Sequence, residues 1–580
     1  MGEVFQAGKA FTNKQVSDIL DEIANMLEIK GEIRYKFLAY RRAAENVRSL
    51  GRPVVDVWRD EDLRDIPGIG EGIAKKLDEL FRTGRLEYHE KLKDEIPPGV
   101  VEMLNIPDVG PRTAKLMYEQ LGLTSVAQVE EAAQAGKLRA LPGLGERSEQ
   151  KILEGIAMLK RRTGRLLLGV ALPLAQDILS ALRERCPSVV EATVAGSLRR
   201  MRETVGDIDL LVTATEPLRV IETFKRLPHV AEVMLAGPTK CTILTEDGLQ
   251  VDLRVLEGER YGSLLQYFTG SQEHNVALRE LAQRQGLSLS EYGFKRDGEE
   301  ILCPHEEEVY AALGLPWIPP ELREARGEIE AAQQGQLPNL VELAHIRGDL
   351  QVHTTWSDGV NRVEEMALAA RARGYQYILI TDHTRGLGVT GGLDAARLME
   401  QRREIDAVNA QFSDFWVLHG TEVEIKGDGS LDLPDQVLAE LDVVVASVHS
   451  GLRQSQEKMT GRMVKALRNP HVDILGHPTG RIIGQREASA VDLETVLKTA
   501  AETGTALEVN AGPDRLDLDD IHIRRAIGMG IKLAINSDAH NTDGLANMPY
   551  GVATARRGWA EAKDILNTLS VDQLLEFVKK

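Results

Sequence analysis

Residues 196–212 read GSLRRMRETVGDIDLLV, and this stretch decides how the rest of the chain is understood. The apolar run around IDLLV predicts a strand, and successive strand side chains alternate faces, so Asp207 and Asp209 point the same way. Two carboxylates converging on one side can grip a divalent cation through hard oxygen ligands. Just upstream, Gly196 allows close backbone approach, Ser197 offers a hydroxyl, and Arg199 and Arg200 offer positive charge, which together suit a triphosphate. A third acid, Asp252, sits in the alternating run LQVDLRV, which predicts a neighbouring strand. Two acids from one strand and one from the next suffice for two-metal phosphoryl transfer. Taken singly, an Asp-x-Asp pair reads as a solvated strand face and two arginines as surface charge. Their ordered combination is what points to a site.

At 580 residues the chain is long enough for several domains, and 43% hydrophobic composition is ample for buried cores. No segment is long and apolar enough to span a bilayer, and the opening MGEVFQAGKAFTNK lacks a long apolar run, which argues against secretion and anchoring. Cys186, Cys241 and Cys303 are too far apart to form a metal-ligand spacing and fit a reducing cytosol.

Gly-Ser, Arg-Arg, Gly-Asp-x-Asp-Leu-Leu and the later Val-Asp-x-Arg together resemble the nucleotidyltransferase palm of family X DNA polymerases. The resemblance implies that Asp207 and Asp209 hold two ions, magnesium or manganese, and that Asp252 completes the site for the attacking primer hydroxyl. It also implies that Ser197, Arg200 and Gly206 bind the phosphates of a deoxynucleoside triphosphate. Met201 stands where the family often has Gly. Further on, Tyr267-Phe268-Thr269-Gly270 resembles the family's segment against the incoming sugar, so Tyr267, Phe268 and Gly270 are expected at the nucleotide. Asn275 corresponds to a further nucleotide contact, and Arg279 and Tyr292 to DNA contacts. Gln272 replaces an acid.

Upstream, residues from about Phe11 to Leu92 read as amphipathic helices, with SDILDEIANMLEI placing apolar residues at helical spacing. LRDIPGIGEGIAKKL has a Gly-x-Gly turn entering a helix, and related patterns recur at IPDVGPRTAKLM and LPGLGERSEQKIL. One such turn is a plain helix–helix connection; three, each exposing backbone N–H groups at a helix start, suggest anion binding. They resemble helix-hairpin-helix motifs, which hold DNA backbone phosphates without reading sequence. Gly68, Gly70, Gly110, Gly143 and Gly145 are the residues that would do so. From AYRRAA to Lys76 the chain also resembles the lyase domain of the same polymerases. Lys76 falls where the family's Schiff-base lysine stands and Lys36 where a 5′-phosphate ligand stands, while Tyr35 and Gly72 replace a His and a Lys of the pattern.

From His345 onward, short apolar runs alternate with helical segments: DLQVH, YILITDH, WVLHGTEVEI, VVVASVH, VDILGH, TALEVN and IKLAINSDAH. Most end in a residue able to bind metal, and ligands at strand C-termini mark the functional face of a barrel. The candidates are His353, Asp358, His383, Glu422, His449, His477, Asp538 and His540. Their order resembles the PHP domain, a distorted seven-stranded barrel holding up to three metals for phosphoester hydrolysis. The resemblance assigns His353, Glu422 and Asp538 to one ion, Glu422, His449 and His477 to a second, and Asp358, His383 and His540 to a third. The PHP pattern opens His-x-His, whereas this chain has Gln351-Val352-His353, so Gln351 replaces one imidazole with an amide. With imidazole and carboxylate ligands and no thiolate, manganese is as plausible as zinc.

The expected architecture is a multidomain α/β chain. It comprises a helical lyase-like domain over 1–95, a fingers-like helical domain over 96–165, a palm over 166–258 and a thumb over 259–318. A Pro- and Glu-rich linker over 319–343 and a distorted (β/α)7 PHP barrel over 344–580 complete it. The combination resembles bacterial family X DNA polymerases. That resemblance implies gap filling in DNA repair on gapped or primed DNA with a 5′-phosphate, using dNTPs, and a manganese-dependent 3′–5′ exonuclease in the PHP domain. 3′-End cleaning, abasic-site cleavage and 5′-deoxyribose-phosphate lyase activity are further implied. The expected enzyme is a monomer of the cytoplasm, at the nucleoid and away from membranes. The net charge of −19 runs against a nucleic-acid partner, which favours a basic footprint; local motifs then imply weak, salt-sensitive DNA affinity. Two rival readings are a PHP phosphatase of a small phosphoester with a non-catalytic front half, and a non-catalytic DNA-end scaffold. Intact Asp207, Asp209 and Asp252 oppose the first, and the like-charge repulsion of unused metal sites opposes the second.

Overall fold

The computed structural model describes residue 11 and residues 13–48, 54–60, 62–66, 68–106, 109–162, 165–246, 248–256, 258–297, 299–387, 390–452, 454–483 and 486–579. The first ten residues of the lyase-like segment and Pro107-Asp108 of the second hairpin lie outside the described residues. The chain divides into two compact units, each built from separated segments. One comprises Met1–Arg165, Phe224–Leu253 and Gln272–Pro304, and the other Leu166–Thr223, Arg254–Ser271 and His305–Lys580.

The first unit is mainly helical. In helix Asn13–Lys30, Val16, Leu20, Ile23, Ala24 and Leu27 recur at helical spacing and are all fully buried. Three short turns of 3-10 helix, Leu63–Asp65, Met103–Asn105 and Leu138–Ala140, each lead into the same arrangement. The amides of Ile69, Val109 and Leu144 donate to the carbonyls of Ile66, Ile106 and Leu141 at 3.1, 3.0 and 3.0 Å, and a helix follows within two residues. Repetition of one turn three times explains the recurring sequence pattern: an apolar residue on each side of a tight turn, buried in every case but the partly buried Leu144, pins a helix start. In the same unit, strand Val230–Ala236 pairs antiparallel with Lys240–Thr245, and the first residues of strand Gln250–Leu256 lie beside the latter. Helix Gln272–Arg284 and a three-stranded antiparallel sheet, Ser288–Ser290, Gly293–Arg296 and Glu299–Ile301, complete it.

In the second unit, helix Leu168–Arg185 precedes strand Val189–Val194, which pairs antiparallel with Asp207–Ala214. The barrel follows as seven parallel strands: Gly348–Val352, Tyr377–Ile380, Trp416–Glu424, Val443–Ser447, Ile474–Leu475, Ala506–Asn510 and Leu533–Asn536, adjacent in chain order. A parallel bridge between Val352 and Ala539 returns the last strand to the first. Alternation divides the strand residues: Ile378, Val444 and Ala446 pack with helix residues such as Met366 and Met463, while Tyr377, Leu379, Val443 and Val445 pack with Leu566 and Leu574 near the C-terminus.

The segment expected to be a linker is tightly packed over its first half, with a 3-10 turn at Pro320–Leu322 and a helix at Glu328–Gln333. Its charges explain this. Arg323 is fully buried and donates to Glu306 at 2.5 Å, and Glu328, also fully buried, accepts from the amides of Ala325 and Arg326 at 2.9 and 2.7 Å. Among the described residues no helix is long and apolar enough to cross a membrane. The three cysteines are buried and unbridged.

Candidate functional site

The eight barrel candidates converge. His353 follows the first strand, His383 the second, His449 the fourth and His477 the fifth; Glu422 lies within the third, and Asp538 and His540 follow the seventh. Glu422 sits at the centre. Its Oε1 lies 3.2 Å from His449 Nε2 and 3.0 Å from His477 Nε2, and its Oε2 lies 3.0 Å from His383 Nδ1 and 3.5 Å from His353 Nε2. His353 Nε2 is also 3.1 Å from Asp538 Oδ1. Asp358 lies 3.5 Å from His383 Nε2 and 3.6 Å from His540 Nε2. Two sets have ligand atoms mutually close enough to share an ion: His353, Asp358, His383 and His540, and His383, Glu422 and His449.

The electrostatics fit a cationic centre. Burial opposes ionisation of Asp358, but a hydrogen bond to His540 and the imidazoles of His383 and His353 hold it down to about 2. Burial likewise opposes the charged form of His449, and the Glu422 and Glu424 carboxylates push it up to about 10. Several ligand atoms are buried without a hydrogen bond: both ring nitrogens of His353, Oε2 of Glu422, Nδ1 of His477 and Oε1 of Gln351. Orphaned acceptors of this kind, aimed together, are what divalent cations satisfy. Gln351 is fully buried, and its amide nitrogen lies 3.4 Å from Asp538 Oδ1. Both His477 (φ 22°) and Asp538 (φ 52°) hold left-handed backbone, strain of the kind found at functional positions.

Around the ligands stand residues that the sequence reading passed over. Glu424 Oε2 lies 2.9 Å from His449 Nδ1, fixing the ring through its far nitrogen, and is itself held by Ser450 and Arg462. Asn510 donates to Asp538 Oδ2 at 3.0 Å. Glu508 accepts from the His477 amide at 2.5 Å, and Asp382 accepts from Thr354, Ser357 and Gln401. The signal for Glu424 was present, since it stands two residues past Glu422 on one strand; Asn510 likewise ends the run TALEVN.

In the acidic stretch, Asp207 and Asp209 share strand Asp207–Ala214 as expected from alternation, with Ile208 buried between them. Gly196 has φ 61°, and a Cβ there would fall 2.4 Å from Asp209 Oδ2. The close approach that Gly196 permits is therefore to Asp209. Ser197 lies in the short helix Gly196–Arg199, and Gly206 immediately precedes the acidic strand. Arg199 is taken up by Glu306, at 2.7 and 2.9 Å, and by Thr269. Arg200 donates to the Thr269 carbonyl at 2.5 Å through Nη1 and to Glu324 at 3.0 Å through Nε, which leaves Nη2 without a partner among the described residues. Met201 adopts φ 52°, the conformation for which Gly is favoured. Tyr267 and Phe268 end helix Tyr261–Thr269 with rings 5.3 Å apart, and Gly270 caps it.

In the first unit, Asp252 accepts from Thr242 and from Gln250 at 2.9 Å. Asn275 and Arg279 lie one turn apart on helix Gln272–Arg284, and Tyr292 is exposed. Gly70 and Gly110 are the N-caps of helices Glu71–Thr83 and Pro111–Leu121, and Gly145 precedes helix Glu146–Arg162. Gly68 and Gly143 hold φ 83° and 82° at equivalent turn positions. Lys36 pairs with Glu32 at 3.0 Å. Lys76 lies 4.7 Å from the Tyr88 ring centroid, and burial and the Lys36 cation lower its pKa.

Comparison with known proteins finds matches over several segments and over the chain as a whole. Family models match a helix-hairpin-helix domain over residues 11–86, a SAM-like helix-hairpin-helix tandem over 100–157, a DNA polymerase beta thumb over 264–324 and a PHP domain over 349–512. The thumb match runs past the expected boundary at 318 into the packed segment. DNA polymerase lambda of Rattus norvegicus is 24% identical over 345 residues, 54% of this chain and 56% of its own. A probable phosphatase of Thermoanaerobacter sp. (strain X514) is 30% identical over 243 residues, 40% of this chain and 94% of its own. The DNA polymerase/3′-5′ exonuclease PolX of Bacillus subtilis (strain 168) is 39% identical over 571 residues, 98% of this chain and 99% of that protein. With the acidic strand, the helical hairpins and the barrel ligands all present in one chain, this protein belongs to the bacterial family X DNA polymerases that carry a PHP domain.

Proposed function

We propose that the protein fills short gaps in DNA during repair and degrades 3′ ends with its barrel. The observation that supports this reading is that a chain matched over 98% of its length by a DNA polymerase/3′-5′ exonuclease carries both the Asp207, Asp209 and Asp252 pattern and a convergent His and acid cluster in its barrel. Asp207, Asp209 and Asp252 would hold magnesium or manganese, and the bound ion would supply charge stabilisation for attack of a primer hydroxyl on the nucleotide. Ser197, Arg200 and Gly206 bind the triphosphate. Tyr267, Phe268, Gly270 and Asn275 shape the nucleotide pocket, and Arg279 and Tyr292 contact DNA. The hairpin glycines present amides to backbone phosphates, with Lys36 on the 5′-phosphate of a gap.

In the barrel, His353, Glu422 and Asp538 form one metal position, Glu422, His449 and His477 a second, and Asp358, His383 and His540 a third, with manganese or zinc as the ion. Glu424 orients His449 and Asn510 orients Asp538. The residues orient the scissile phosphate, and bound metal supplies Lewis-acid activation of phosphate and water. The enzyme works as a monomer in the cytoplasm, at the nucleoid. The test is a labelled primer annealed to gapped template, incubated with and without dNTPs in magnesium or manganese. Extension with dNTPs and 3′ shortening without them are expected; absence of either would remove that half of the reading.

A second activity rests on Lys76. Burial and the Lys36 cation lower its pKa, the direction that favours an amine nucleophile. Borohydride should trap the chain on an abasic 5′-sugar phosphate, and Lys76→Ala should abolish the adduct.

A further inference from the structure

The turn that presents Arg200 is held in shape by the barrel. After helix Gly196–Arg199 the chain passes through Met201 at φ 52°, a left-handed conformation that side chains other than glycine rarely adopt. Two barrel arginines grip the residues on either side. Arg557, at the end of helix Met548–Arg557, donates to the Arg200 carbonyl oxygen at 2.7 Å and to Glu324 Oε1 at 3.0 Å, the same oxygen that accepts from Arg200 Nε at 3.0 Å. Its other terminal nitrogen donates to Asp520 at 2.6 Å, so the guanidinium is fixed from both sides. Arg481 donates to Glu203 Oε2 at 2.7 Å and is itself anchored to the carbonyls of Leu516 and Arg515 at 2.6 and 2.9 Å. The peptide before Met201 and the side chain two residues after it are thus both tied to the barrel. Neither arginine is a ligand of the barrel's metal centre.

We propose that Arg557 and Arg481 are positioning residues for nucleotide binding, so that the PHP barrel braces the left-handed turn at Met201 and aims Arg200 Nη2 at the triphosphate. The proposal rests on the reading of Arg200 as a phosphate ligand. It makes the barrel a structural part of the polymerase independently of hydrolysis.

The experiment uses full-length protein and steady-state dNTP incorporation on gapped DNA, with exonuclease rate measured on the same preparations. Arg557→Lys and Glu203→Gln should each raise KM for dNTP by roughly threefold to thirtyfold, with kcat and exonuclease rate little changed. Adding Met201→Gly to either should restore much of the lost affinity, because glycine reaches the left-handed conformation unaided; a role in folding alone would give no such rescue. Arg557 is buried between two carboxylates, so Glu203→Gln, at a half-exposed position, carries the decision should Arg557→Lys fail to fold. Unchanged KM in the brace variants, with raised KM in Arg200→Ala, overturns the brace and leaves Arg200 at the phosphates. Unchanged KM in Arg200→Ala overturns the phosphate reading itself.

Discussion

Gly196 and Asp209 compete for one small space. A methyl group on Gly196 would lie 2.4 Å from Oδ2 of Asp209, a proposed metal ligand, and the residue's φ of 61° disfavours any side chain. Gly196→Ala should therefore displace the Asp209 carboxylate and lower nucleotide incorporation by about a hundredfold, the scale expected for misplacing a reacting group by an ångström. Exonuclease rate on the same preparation should be unchanged, and normal incorporation would show that Asp209 tolerates the shift. Gln351 makes the opposite case, a site left short of a ligand. Its buried carbonyl oxygen has no hydrogen-bond partner among the described residues, and an imidazole there would add the nitrogen donor that transition metals favour. Gln351→His should tighten manganese and zinc binding by about tenfold, about 1.4 kcal/mol. Titration of metal into stripped protein while following exonuclease rate checks this, and identical metal dependence would place Gln351 away from the ions. Both residues were legible in the sequence, but the physical role of Gly196 was not. A glycine beside a phosphate-binding stretch suggests room for ligand, and only the fold shows that the room is taken by a carboxylate thirteen positions downstream by number but adjacent in space.

At the scale of elements, periodicity and turn chemistry were readable because they are local. The three hairpins repeat one hydrogen bond across a tight turn, and His353, His383, His449, His477 and Asp538 follow barrel strands because those runs are short, apolar and bounded by a polar residue. The segment over 319–343 reads as a linker in sequence because its stabilising partners are remote along the chain. Arg323 is buried against Glu306 on helix Glu306–Ala312, and Glu306 also accepts from Arg199 and the Trp317 indole. Burial opposes ionisation of Glu306, yet Arg323 and Arg199 hold its pKa far below the ordinary glutamate value of 4.5. With the folded value depressed, the ion pairs contribute fully above about pH 4.5, and the contribution is lost as pH falls through that value toward the folded one. Glu306→Gln strands two guanidinium groups and should cost about 3–5 kcal/mol at pH 7. Thermal melts of both proteins at pH 7 and pH 3 should show the gap narrowing in acid; a gap of constant size would mean that Glu306 does not act through its charge.

At the scale of the whole molecule, the contact-defined units draw on separated stretches of chain, an interleaving that no local pattern encodes. Charge, by contrast, is partitioned in a way the sequence does show. The first 165 residues carry 27 basic and 27 acidic side chains, so the entire net charge of −19 belongs to the remainder, where both proposed sets of metal-binding acids lie. Helical hairpins that hold phosphates by backbone amides need no strong basic surplus, which removes the conflict between an acidic chain and a DNA partner. The two proposed metal-binding sets share no residue: Asp207, Asp209 and Asp252 are proposed for one, and the cluster around Glu422 for the other. One chain should therefore behave as two separable enzymes. Asp209→Ala removes a polymerase metal ligand and should reduce incorporation at least about a thousandfold while sparing 3′ degradation, whereas His383→Ala, within 3.0 Å of Glu422, should do the reverse. Measured on one gapped substrate with folding checked by thermal melting, parallel loss of both activities in either variant would mean that a single metal centre serves both reactions. A clean double dissociation would leave the Arg557 and Arg481 contacts as physical links between the barrel and nucleotide addition.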